Sequence, residues 1–165
     1  MQRSFYCILL LLAGLFGVPA IIQSGPAVED LGYKSDPRFT LLRDFFQKKN
    51  CPVEELTADF LAAADQHSLD WRLLPSISFV ESGGGKQFMN NNIFGWDNCR
   101  QAFPTVREGI YFVAHRLANS KFYKEKDLEG KLRTYNPFPE YPGRVKLVMN
   151  ALGPANLLPP TSPVN

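Results

Sequence analysis

The chain has 165 residues, 45 % of them apolar and 21 % charged, with a formal net charge of +2. That length and composition suit one globular domain. So small a charge, spread over lysines and arginines that form no single stripe, excludes a nucleic-acid partner.

Residues 1–27, "MQRSFYCILLLLAGLFGVPAIIQSGPA", carry Arg3 and then an apolar run from about Phe5 to Ile22. This pattern predicts a secretory signal peptide, with cleavage near Ala20 or Ala27. The run also reaches the lower limit for a membrane span, roughly 17 residues. An uncleaved N-terminal membrane anchor is therefore the alternative. Cys7 belongs to the apolar run. Two cysteines remain, Cys51 and Cys99. Export permits a disulfide, and an even count makes that pair its candidate; the alternative is two unrelated buried thiols.

The next stretches read as helices. "SDPRFTLLRDFFQKKN" has a cap at Ser35 or Asp36, Pro37 in the first turn, and a stripe of Leu42, Phe45 and Phe46. "PVEELTADFLAAADQHS" places Leu56, Phe60 and Ala63 on one face. "LDWRLLPSISFVES" is apolar nearly all round, the mark of a central buried helix. Asp70 is its candidate cap, and Pro75 either bends it or moves its start later.

From Gly83 to Pro104 the helical pattern lapses into Gly, Asn and aromatic residues, which predicts loops or a short hairpin. "TVREGIYFVAHRLANS" restarts it with the capping-box spacing of Thr105 and Glu108. Ile110, Val113, Ala114 and Leu117 form its stripe. "DLEGKLRTY" is capped by Asp127. "YPGRVKLVMNALG" carries Val145, Val148 and Leu152 and stops at Gly153. Residues 153–165 are Pro-rich and predict a flexible tail. The expected fold class is mainly α, with a loop-rich or small β insertion.

Glu81 stands at the end of the buried helix, after Ile77, Phe79 and Val80 and before Gly83, Gly84 and Gly85. Apolar neighbours raise a carboxyl pKa, and the negative end of a helix acts in the same direction. A carboxyl that keeps its proton near neutral pH can protonate a poor leaving group such as a glycosidic oxygen. The glycines would stop the helix and let another chain, or a substrate, approach Glu81 closely. A solvated, idle Glu is the plain alternative. In the following loop, Asn90, Asn91 and Asn92 offer amides for sugar hydroxyls, and Phe94 and Trp96 offer either stacking faces or core packing.

"LLPSISFVESGGGK…NNNIFGW" resembles the lysozyme-like superfamily. The likeness is closest to the bacterial glucosaminidase family named after mannosyl-glycoprotein endo-β-N-acetylglucosaminidase. The stretch is similar also to the soluble lytic transglycosylases. "FPTVREGIYFVAHRL…YKEKDLEGKLRTYNPFPEYPGRVKLVM" resembles the second half of that family, so the likeness runs from about Thr57 to Leu152. It implies a lysozyme-like glycosidase domain over residues 28–152.

The resemblance also implies Glu81 as catalytic acid, with Tyr135 positioning substrate or stabilising the transition state. It implies Ser82, Asn92, Phe94 and Gly95 in the cleft, joined by Trp96. Asp97 is the nearest candidate for a second carboxylate, about 5–10 Å from the acid in two-carboxylate hydrolysis. Without one, the substrate's own N-acetyl group can assist at the anomeric carbon.

The expectation is therefore a secreted or periplasmic glycoside hydrolase. It would cut a β-1,4 bond beside an N-acetylated sugar, in peptidoglycan or a related glycan, with no cofactor. A lytic transglycosylase is the near alternative and a non-catalytic glycan-binding module the distant one. His67 and His115 are far apart in sequence and share no ligand spacing with the cysteines, so no metal site is expected.

Overall fold

The computed structural model describes residues 30–157, and all regular structure among them is helical. The elements are α1 (Asp30–Tyr33), α2 (Pro37–Lys48), a 3-10 turn (Pro52–Leu56), α3 (Thr57–Gln66), α4 (Leu73–Ser82), α5 (Val106–Asn119), α6 (Leu128–Tyr135) and α7 (Tyr141–Leu152). The mainly α expectation holds. Of the two readings for the insertion, loop rather than hairpin is what forms. The signal-peptide or anchor segment lies outside the described residues. No helix among those described is long and apolar enough to cross a membrane.

Local chemistry sets the helix starts. Asp36 accepts the Arg38 backbone N–H at 2.8 Å, Thr105 that of Glu108 at 3.1 Å, and Asp127 that of Gly130 at 2.8 Å. Each satisfies a first-turn donor that the helix itself leaves without an acceptor. Pro75 neither interrupts α4 nor delays its start. The helix begins at Leu73, so the proline sits in the first turn, where its missing N–H would have had no helical acceptor. Asp70 instead holds the turn before the helix, accepting from the Arg72 backbone N–H and its guanidinium.

Helix α4 is the axis of the fold. Leu73 to Ser78 are all buried, and α7, α3 and α5 pack around it. Leu74 and Ile77 are fully enclosed, together with Phe46, Phe60, Phe94 and Ile110. Each such side chain contributes roughly 1.5–3 kcal/mol through burial. Val148 is only half-buried; Met149 takes its place in the α7 stripe with Tyr141, Val145 and Leu152.

The start of the expected tail is docked. The Gly153 carbonyl accepts from Arg72 at 3.0 Å and the Pro154 carbonyl from the Trp71 indole at 3.3 Å. Leu157 packs against the core.

Candidate active site

Glu81 is the penultimate residue of α4. The helix stops where Gly83 turns left-handed at φ 67°. A side chain there would meet the usual penalty of positive φ. Gly84 and Gly85 serve a different purpose from the one expected of them. A Cβ on Gly84 would lie 2.6 Å from Cys51 Sγ, and one on Gly85 2.9 Å from Val53 Cγ1. These glycines let the 3-10 turn seat against the end of α4. The glycine that approaches the carboxylate is Gly95. A Cβ built there would fall 2.9 Å from Glu81 Oε2, at φ 63°. The expected close approach to Glu81 therefore exists, supplied from the following loop.

The carboxyl is partly exposed yet strongly desolvated, and burial pushes its pKa above the ordinary 4.5. Tyr141 and Arg144, from the first two turns of α7, oppose that shift. No ion pair to Glu81 forms among the described residues.

Tyr135 lies beside it. Its hydroxyl donates to the Phe94 carbonyl at 2.6 Å, and burial, with the Glu81 charge next, raises its pKa well above the ordinary phenol range. Its ring stacks on Tyr141, with centroids 6.0 Å apart and planes 5° apart, and meets the Trp96 ring edge-on at 5.6 Å. Trp96 keeps part of its surface exposed and also contacts Phe112. The structure thus brings Glu81, Gly95, Trp96 and Tyr135 together.

Three expected ligand contacts require correction. Asn92 is 1 % exposed, and its amide is fully committed. Nδ2 donates to the carbonyls of Trp96 and Gln101, both at 2.9 Å, and Oδ1 accepts the Trp96 N–H at 3.0 Å. Phe94 is wholly enclosed against Phe60, so its ring is core. Ser82 is buried; its hydroxyl donates to the Ser78 carbonyl and accepts the Gly85 N–H, closing the glycine turn. None of these three side chains can touch a ligand without rearrangement of the loop.

Asn90 and Asn91 act as Asn92 does. Asn90 donates to the Cys99 carbonyl at 3.1 Å, and Asn91 to those of Phe103 and Pro104 at 2.9 and 3.0 Å. A loop without strands has backbone carbonyls that need donors, and three consecutive asparagines supply them. Asn90, Asn91, Asp97, Asn98 and Cys99 also take positive φ, which Asn and Asp tolerate better than most residues.

Asp97 is exposed and paired with Arg100 at 2.6 Å. Cys51 and Cys99 are buried thiols and are not bridged, so of the two readings of the pair, separate buried thiols rather than a disulfide is what forms. Cys51 packs on Gly84, whereas Cys99 lies near Tyr135. His67 and His115, distant in sequence, have ring centroids 5.5 Å apart. No cluster of three or more metal-ligating side chains occurs among the described residues.

Sequence reasoning missed Tyr141 and Arg144. Both lie on a helix whose apolar stripe dominates its pattern. Their three-residue spacing, which puts them on one face, is the available signal. Phe88 and Phe138 are exposed aromatic side chains. They lie on the two segments, after α4 and between α6 and α7, that lead to the groups around Glu81. No known family model matches the chain, and no curated protein does.

Proposed function

We propose that this protein is a glycoside hydrolase acting on glycan strands, with Glu81 as the general acid. One observation carries the reading: a desolvated carboxyl with no ion pair stands at the end of the central helix, against a glycine backbone and beside two tyrosines. Such a group holds its proton toward neutral pH and can deliver it to a glycosidic oxygen as the bond to the anomeric carbon breaks. The resemblance of "FVESGGGK…NNNIFGW" to lysozyme-like glucosaminidases supports the same role and suggests a lysozyme-like fold. It also suggests peptidoglycan, or a related N-acetylated glycan, as substrate for an exported enzyme.

The second half of the reaction is assigned to the substrate. Asp97 is turned to Arg100 on an exposed turn, which favours assistance by the sugar's N-acetyl oxygen over a protein nucleophile. Trp96, partly exposed beside Tyr135, is the ring best placed to border a sugar. Tyr135 has its own proton on the Phe94 carbonyl, so it would act by shape and dipole rather than as a donor.

The test is digestion of purified peptidoglycan by the protein and by Glu81→Gln, with products read by mass spectrometry. New reducing ends made by the wild type, reduced about a hundredfold or more in the variant, are expected. Anhydro ends would move the assignment to a lytic transglycosylase. Equal product from the variant removes Glu81 from the mechanism, and no product from either protein leaves a binding module.

A further inference from the structure

Tyr141 opens α7 and is 2 % exposed, yet its hydroxyl makes no hydrogen bond of regular geometry. A buried hydroxyl left unsatisfied is destabilising, and such groups are uncommon in folded proteins. The Glu81 carboxyl lies within hydrogen-bonding reach of it, so that the contact holds the Glu81 pKa down and the Tyr141 pKa up, although the two do not meet in regular hydrogen-bond geometry. Tyr135, stacked on Tyr141, cannot take the same part because its proton is committed to the Phe94 carbonyl. Arg144 reaches Glu81 from one turn further along α7, but it is exposed and screened by solvent. Of the groups facing Glu81 — Tyr141 and Arg144 from α7, Tyr135 from α6 — only Tyr141 combines burial with an uncommitted donor.

We propose that Tyr141 is a positioning residue for Glu81: its hydroxyl closes onto the carboxylate as the proton leaves and opens when the proton returns. A phenol donates a stronger hydrogen bond to a carboxylate than to a neutral carboxylic acid. The bond is therefore strongest in the state that follows proton donation. Burial biases the resting group toward its protonated form, and the hydroxyl favours the anion as it forms. Only one proton changes owner: Glu81 loses it to the leaving oxygen as the bond from that oxygen to the anomeric carbon breaks, and Tyr141 keeps its own. The catalytic part of this inference rests on Glu81 being the acid. The pairing itself does not.

The experiment is Tyr141→Phe, with the Glu81 carboxyl followed by 13C NMR across pH and the pH dependence of kcat recorded beside it. Phe leaves the ring stack in place and removes a hydroxyl that makes no regular hydrogen bond while Glu81 is protonated, so thermal stability below the Glu81 midpoint should be equal or higher. The Glu81 midpoint should rise, because the charged form has lost a donor. The alkaline limb of the rate profile should rise with it, and kcat should fall on the order of tenfold with little change in KM.

A midpoint that stays where it is overturns the proposal. A second variant works in the opposite direction: 3-fluorotyrosine at 141, a more acidic donor, should lower the midpoint, and a rise would overturn the proposal. The two levels of failure separate cleanly. Should Glu81→Gln keep full activity, the general-acid reading falls, while a moved midpoint in Tyr141→Phe still establishes the pairing.

Discussion

Asp36 and Asp59, on the α2–α3 side of the molecule, are 1 % and 3 % exposed, and each is held by an arginine. Arg38 meets Asp36 at 2.6 Å and reaches on to Asp65 at 2.7 Å; Arg107 meets Asp59 at 2.8 Å. Tyr33 adds a hydroxyl donor to Asp65, and Tyr111 one to Asp59. Glu81, at the far end of α4, has lost much of its water without forming an ion pair. Burying a charge is costly unless it is paired. The first region meets that rule by pairing, and Glu81, unpaired, meets it by a pKa raised toward the neutral form. A desolvated carboxyl in that condition is a candidate for a site that uses its proton, and the missing ion pair is what distinguishes Glu81 from Asp36 and Asp59.

The contrast can be broken most forcefully at Arg38. Arg38→Met keeps much of the length of the side chain and strips the cation from a fully buried Asp36 and from Asp65. Leaving a buried charge without its partner costs about 3–5 kcal/mol, a large share of the roughly 5–15 kcal/mol typical of a domain. Urea unfolding should show that loss. A change under about 1 kcal/mol, the scale of an exposed pair, would mean that the two regions do not differ in the way described.

Asn92→Ala probes a neutral group placed in the loop beside Glu81 yet built as part of the scaffold. It removes two donors and an acceptor that serve buried backbone, and a loss of about 2–3 kcal/mol is expected. Activity should fall in step with the folded fraction. If activity collapsed while stability held, Asn92 would belong to the site after all.

Gly95→Ala sits on the border between scaffold and site. Placing a Cβ at φ 63° costs about 1–2 kcal/mol. The same Cβ would press on Glu81 Oε2. Stability should fall modestly in unfolding experiments and turnover by more than that fall explains. Unchanged turnover would show that the carboxyl can move aside without consequence.

The sequence carried the helices well and the loop poorly, for physical reasons. Caps at Asp36, Thr105 and Asp127 act within three residues of themselves, so composition and spacing suffice to find them. The stripe of Ile110, Val113, Ala114 and Leu117 is a local period, and all four are buried. Glu81 stands out because a run of apolar residues before a carboxyl is also local. The partners of Asn90, Asn91 and Asn92 lie up to thirteen residues ahead, and an amide that binds sugar looks the same in sequence as one that binds backbone. Cysteine count could suggest a bridge but could not supply the distance between Cys51 and Cys99. Tyr141 reaches Glu81 from a remote part of the chain, through the packing of α7 on α4.

The smallest expected effect is also the most specific to Glu81. Its pKa in the folded protein lies above the ordinary 4.5, with burial the main cause. A group whose pKa is raised on folding binds its proton more tightly in the native state. Its contribution to stability is fully present below about pH 4.5 and is lost as pH rises through the folded-state value. Glu81→Gln, neutral at every pH, has no such dependence. The stability of the variant relative to the wild type should therefore be less favourable at pH 4 than at pH 7, and the difference should change only across that window. No arginine grips Glu81 as Arg38 grips Asp36, and Arg144 offsets the loss only in part because solvent screens it. Denaturant unfolding of both proteins at pH 4, 5.5 and 7 reads the slope. Parallel curves would place Glu81 in ordinary solvent, with the same proton affinity folded and unfolded, and the contrast with Asp36 and Asp59 would then be one of pairing alone.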